Sequence, residues 1–134
     1  MNGKGFKPKV VQDLLHISDQ TFRYWRANLD YLPARPLFSA KDILVYRVFK
    51  LLIESRSLRV KYLKKFDRQH LFDWVYVNEY DEMKGFVLVL NDFSMTINFQ
   101  TTDKIKNPYD INLYFLELAN AVNQHLDAIH NFGD

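Results

Sequence analysis

The chain contains no cysteine, which removes disulfide staples, thiolate metal sites and cysteine nucleophiles together and matches a reducing compartment. No apolar run approaches the roughly 18 residues of a membrane span, and the lysine-bearing start lacks the apolar centre of a secretion signal. The expectation is a soluble, cytoplasmic protein with no membrane partner. Glycine is scarce, four in 134 residues. These four form no phosphate-cradling loop, and Gly3 and Gly5 belong to the opening stretch. The histidines, His16, His70, His125 and His130, are scattered, and the five-residue step from His125 to His130 does not align them on one helix face for a metal. Glu79, Asp81 and Glu82 read as a solvated acidic loop ahead of a cation site. No nucleophile, base and acid stand at a catalytic spacing. The expectation is therefore a protein that is not an enzyme and carries no metal or cofactor.

What is present is apolar and aromatic: 48% and 16% of the 134 residues, enough to bury a core in one compact domain or in two small ones sharing an interface. The net charge of +2 averages two unlike halves. Residues 1–65 hold 14 basic against 5 acidic side chains, whereas residues 66–134 hold 4 against 11. A basic front attracts phosphates through counterion release, and an acidic back is repelled by them and should face away. The plainer alternative is that Lys61, Lys64 and Lys65 only solvate a helix face.

The basic half begins with Val10, Val11, Leu14 and Leu15 at helical spacing, followed by a tight connection at His16 and Ile17. Ser18 has the chemistry of an N-cap, and Phe22 with Trp25 gives the next helix its buried face. Gln20, Arg23, Tyr24 and Arg26 occupy the opposite face. Two short helices joined by a brief turn make a helix-turn-helix. Ser39 and Asp42 then form a capping-box-like start to a helix whose Ile43, Leu44, Phe49, Leu51, Leu52 and Ile53 predict burial on more than one side. Ser57 is placed to cap a shorter helix through about Phe66, with Leu58, Tyr62 and Leu63 inward and Arg59, Lys61, Lys64 and Lys65 outward.

The run Leu14-Leu15-His16-Ile17-Ser18, the run Thr21-Phe22-Arg23-Tyr24-Trp25 and the segment Phe38-Ser39-Ala40-Lys41-Asp42-Ile43 together resemble the MerR family of winged helix-turn-helix regulators, over roughly residues 6–66. The resemblance implies that Arg23 and Tyr24 touch DNA backbone and that Trp25 packs inward. It places the wing at residues 32–38, where Pro36 stands in the usual position of an arginine and Arg35 takes over its contact. Arg26 replaces an acid often found there, which strengthens phosphate attraction.

After Phe66 the period changes from helical to alternating. Phe93, Met95, Ile97 and Phe99 point one way and Ser94, Thr96, Asn98 and Gln100 the other, which predicts a strand with one dry face. The segment 85–90 is a second strand, turned into the first through Asn91-Asp92. Trp74 to Asn78 reads as a third strand, and 79–84 as an acidic loop. From Asp110 to Asn131 the chain returns to helix, with Ile111, Phe115, Leu118, Val122, His125 and Ile129 in a heptad stripe. The stripe serves either a dimer seam, which the resemblance favours, or packing over the sheet, for which Leu113, Leu116 and Leu126 provide extra apolar surface. Phe72, Trp74, Tyr76, Phe86, Phe93 and Phe99 read as core packing, with an effector pocket as the alternative.

The expected fold class is thus α+β: a winged helix-turn-helix domain (residues 1–66), then a small antiparallel sheet of two or three strands with a long C-terminal helix for dimerisation or for a partner or effector (67–134). The expected function is a sequence-specific transcriptional regulator of MerR type, binding double-stranded DNA as a homodimer at a pseudo-palindromic site. Ser18, Asp19, Gln20 and Arg23 would lie nearest base edges or phosphates and Tyr24, Arg26 and Arg35 would anchor the backbone, with Thr21 and Lys41 as further DNA-binding residues. Gln20, whose amide can pair bidentately with adenine, is the leading base reader. The alternatives are an architectural, excision or segregation factor, and a protein-interaction adaptor whose acidic half recruits transcription machinery.

Overall fold

A computed structural model describes residues 5–29, 37–104 and 113–132. The first helix, α1 (Pro8–Leu15), has proline where the missing N–H costs nothing and the ring presets the backbone. It ends at His16, whose left-handed backbone (φ 56°) turns the chain. Ser18 then caps α2 (Asp19–Asn28), its hydroxyl accepting the Thr21 amide at 3.1 Å. A complete capping box between Ser39 and Asp42 starts α3 (Ala40–Ser55). Ile43, Leu44, Val45, Tyr46, Val48 and Phe49 are each at most 1% exposed, so α3 is surrounded on several sides as its composition predicts.

The next turn differs from expectation. Ser57 does not cap a helix; it holds a left-handed backbone (φ 56°), and α4 (Val60–Leu63) begins after Arg59. The strand expected at Trp74 to Asn78 is instead the end of helix α5 (Gln69–Val77). Its buried residues, Leu71, Phe72 and Val75, follow a step of three and four that docks one face against α3, and this packing outweighs the strand preference of Trp, Val and Tyr. The expected acidic loop holds a short helix, α6 (Tyr80–Met83), started by a Glu79–Glu82 capping box and anchored by buried Met83.

Strands β1 (Phe86–Asn91) and β2 (Thr96–Thr101) form the expected antiparallel hairpin, with Asn91 opposite Thr96. The turn is residues 92–95 rather than Asn91-Asp92. The Asn91 side-chain carbonyl accepts the amides of Phe93 (2.9 Å) and Ser94 (3.1 Å). Phe93 therefore leaves the strand and stands 87% exposed, while Ile97 is buried and Met95 and Phe99 pack on the core. The third strand is β3 (Leu113–Glu117), which pairs with the other edge of β1 to give the order β2-β1-β3. Only then does α7 (Leu118–Phe132) begin, eight residues later than its heptad pattern implied. Phe115 lies on the strand, and Ile111 falls outside the described residues. The physical reason is that β1, buried along its length, needs partners for the polar groups on both of its edges.

Rows of side chains across the sheet, Phe99-Leu88-Leu116 and Ile97-Leu90-Tyr114, face the core. There α3 packs against α1, α5 and α7. One hydrophobic cluster runs from Val11 through Phe66 to Val122, so packing is continuous across the expected boundary at residue 66. Among the described residues, no helix is long and apolar enough to cross a membrane.

Candidate nucleic-acid interface

The α1–α2 unit is built from local signals. Three residues, His16 to Ser18, join the helices, the connection length of a helix-turn-helix. Phe22 (1% exposed) and Trp25 (5%) lock α2 onto the core, so Trp25 packs inward as the resemblance implies. Gln20, Arg23 and Tyr24 face outward on α2, and Tyr24 is 52% exposed. Gln20 makes no side-chain hydrogen bond among the described residues, which leaves its amide available.

Several other expected contacts are engaged within the chain. The Ser18 hydroxyl serves the cap, donating to Thr21 Oγ1 at 3.0 Å while accepting the Thr21 amide. Asp19 accepts from Gln12 Nε2 at 2.9 Å and pairs with Arg23 Nε at 2.9 Å. Its carboxylate thus ties α1 to α2 and orients Arg23. A naked carboxylate there would repel phosphate; paired, its charge is offset. The Arg26 guanidinium lies over the rings of Phe22 (5.7 Å) and Phe38 (5.1 Å), half-buried rather than extended outward. Arg35 falls outside the described residues, as does most of the expected wing.

Lys41, also expected as a DNA contact, is engaged within the chain as well. Its ammonium donates to the carbonyls of Val75 (3.0 Å) and Asn78 (2.5 Å) and sits 5.4 Å from the Tyr80 ring centre. A cation at the C-terminal end of α5 answers carbonyls that have no partner within the helix. Lys41→Met is accordingly expected to lower stability by about 1–3 kcal/mol and to leave the salt dependence of any DNA binding unchanged. Urea unfolding and a binding titration over salt check the two halves of that statement; a shallower salt slope would return Lys41 to the interface.

The sequence reading passed over Lys64 as part of this surface. Lys64 Nζ reaches Asn28 Oδ1 at 3.3 Å and Arg68 Nε donates to the Leu29 carbonyl at 3.0 Å, which fixes basic α4 beside the C-terminal end of α2. The only early signal was its outward position among other lysines.

On the opposite side of the molecule's chemistry, Leu118, Val122 and His125 of the heptad stripe are at most 2% exposed within a single chain, packed under α3, and Ile129 is half-buried against the same core. These side chains are already occupied, and a second copy would have to use another surface. The expected aromatic pocket is dispersed. Phe72 is core, Trp74 stacks on Phe99 (4.0 Å, 1°) and meets Phe86 edge-on, and Tyr76 and Phe93 are exposed. Among the described residues there is no group of three metal-ligating side chains. Comparison with protein-family models, with curated proteins and with solved structures finds no match to the chain, so the chemistry of this surface rests on its own residues.

Proposed function

We propose that the protein binds double-stranded DNA through α2 and acts as a transcriptional regulator of MerR type. The observation that carries this reading is the capped α2, seated on the core by Phe22 and Trp25 and presenting Gln20, Arg23 and Tyr24 outward next to basic α4. In the proposed complex α2 enters the major groove, Gln20 reads a base edge, and Arg23, Tyr24 and Lys64 hold phosphates. The acidic second half, repelled by the duplex, faces away and is the surface for a protein partner. Pseudo-palindromic binding by a dimer belongs to the same proposal, with a seam other than the buried stripe of α7.

An architectural role is the second reading. With Ser18, Asp19 and Thr21 engaged locally, few side chains remain near the helix tip for base contacts, which favours backbone-dominated binding.

Fluorescence anisotropy with the protein's own upstream duplex and a scrambled duplex, titrated over salt, tests both. Preference for the upstream duplex by about a thousandfold is the regulator's result; equal, steeply salt-dependent binding is the architectural one, and no binding to either rejects both. Arg23→Ala should weaken binding to every duplex and reduce the salt slope by about 0.9 for the phosphate contact it removes. Gln20→Ala should instead change the ranking of duplexes that differ at one adenine. An unaltered slope in the first variant rejects the role given to Arg23.

A further inference from the structure

The N-terminal end of α4 borders a cleft of about 320 Å³, walled by Leu58, Tyr62 and Tyr114 and rimmed by Arg59, Lys61 and Lys65. We propose that this cleft binds a small ligand made of a planar aromatic ring carrying one anionic group, a carboxylate or a phosphate. The cleft lies on the same basic α4 that the DNA reading uses through Lys64, but its existence does not rest on that reading.

Three observations point there. First, Arg59, Lys61 and Lys65 are exposed and take part in no ion pair among the described residues. Like charges gathered around a concave apolar surface repel one another, and an anion entering between them relieves that repulsion. Second, the wall is aromatic. The rings of Tyr62 and Tyr114 meet edge-on at 6.3 Å, and Tyr62 also meets Phe66 edge-on at 5.2 Å. Such faces suit a planar ring, and buried Leu58 adds an apolar floor. Third, the polar ends are arranged so that they do not oppose an anion. The Tyr62 hydroxyl donates to Asp92; burial and that carboxylate push the phenol's pKa up, which keeps it neutral. Asp92 is engaged there and does not line the cleft.

The size decides the class further. A volume of about 320 Å³ is at the lower end of ligand pockets, so the fit is to one ring system with its charged group rather than to an extended chain. An aromatic carboxylate and a nucleoside monophosphate share this chemistry. Ser57, held at φ 56° on the rim, sets where α4 begins and therefore where Arg59 and Lys61 stand.

The test is a titration of the full chain, followed by amide chemical shifts, with benzoate, adenosine monophosphate and inorganic phosphate as probes. The expected result is saturable binding of benzoate or the nucleotide at least tenfold tighter than phosphate, with shifts centred on residues 57–65 and Tyr114. The tighter of the two organic probes tells a carboxylate from a nucleotide. Lys61→Glu with Lys65→Glu, both on the surface, should weaken that binding at least tenfold with an unchanged melting temperature. Tyr114→Leu, which keeps apolar bulk, should weaken it severalfold. Organic probes bound no better than phosphate would mean that charge alone acts, and would overturn the proposal. So would affinity that survives charge reversal, or a charge reversal that weakens only duplex binding.

Discussion

Phe22→Ala is expected to destabilise the protein by about 3–5 kcal/mol, the range for removing a fully buried phenyl ring. Phe22 is 1% exposed and stands edge-on to Phe38 at 5.5 Å and to Tyr46 at 5.6 Å, with the Arg26 guanidinium 5.7 Å from its centre. Truncation empties the joint through which α2, the segment before α3 and α3 itself hold together. It also strips Arg26 of one of its two aromatic faces. Against a total stability of about 5–15 kcal/mol, such a loss leaves α2 poorly held, and the proposed DNA affinity should fall with it although Phe22 is buried. Urea unfolding gives the stability, and anisotropy at saturating stability conditions gives the affinity. A loss below about 1 kcal/mol would mean that α2 is held chiefly by its cap and by Asp19, contrary to the packing described.

Acidification should be the second large effect. His125 on α7 is fully buried, with Nε2 3.3 Å from the Tyr80 hydroxyl and Nδ1 without a hydrogen-bond partner among the described residues. Burial, and then the nearby Arg47 guanidinium, lower its pKa from 6.5 to about 4. In the unfolded chain the same imidazole takes its proton near pH 6.5, so between pH 6.5 and 4 the unfolded state binds more protons and gains relative to the folded one. Stability contributed by neutral His125 is therefore complete above pH 6.5 and is lost as pH falls toward 4. A shift of that size corresponds to about 3 kcal/mol. Melting curves from pH 7 to pH 4.5 should show a steep decline in the parent and a shallower one in His125→Gln, which cannot be protonated. Parallel declines in the two proteins would remove His125 as the cause.

How far these features could be read in advance depends on how local their causes are. The α1–α2 connection was legible because the helical spacing of Val10, Val11, Leu14 and Leu15, a serine cap and an aromatic pair three residues apart all act within a few positions. The hairpin was legible from its alternation, although the Asn91 side chain, by gathering two turn amides, moved the turn and released Phe93. Two elements were misread for opposite reasons. At α5, residues that favour strands were recruited to a helix by the burial of Leu71, Phe72 and Val75. At β3, a heptad pattern continued straight through a strand, because an unbroken apolar string satisfies both periods and only the free edge of β1 decides between them. The candidate surface divides the same way. Gln20, Arg23 and Tyr24 were placed by α2 itself, whereas the true partners of Lys41 lie 34 and 37 residues away. Tyr114 meets Tyr62 through the pairing of β3 with β1, far from Tyr62 in sequence.

The single core that passes through residue 66 carries a thermodynamic consequence. If the basic and acidic halves melt as one cooperative unit, neither can be studied by deleting the other, since each supplies the other's interior. Every binding event then draws on the same folding equilibrium: a molecule captured at 100 times its Kd adds about 2.7 kcal/mol to the whole. Occupancy of a cleft beside α4 would raise the temperature at which α2 lets go of its seat. In such a chain, a change in melting temperature reports on contacts made anywhere on the surface.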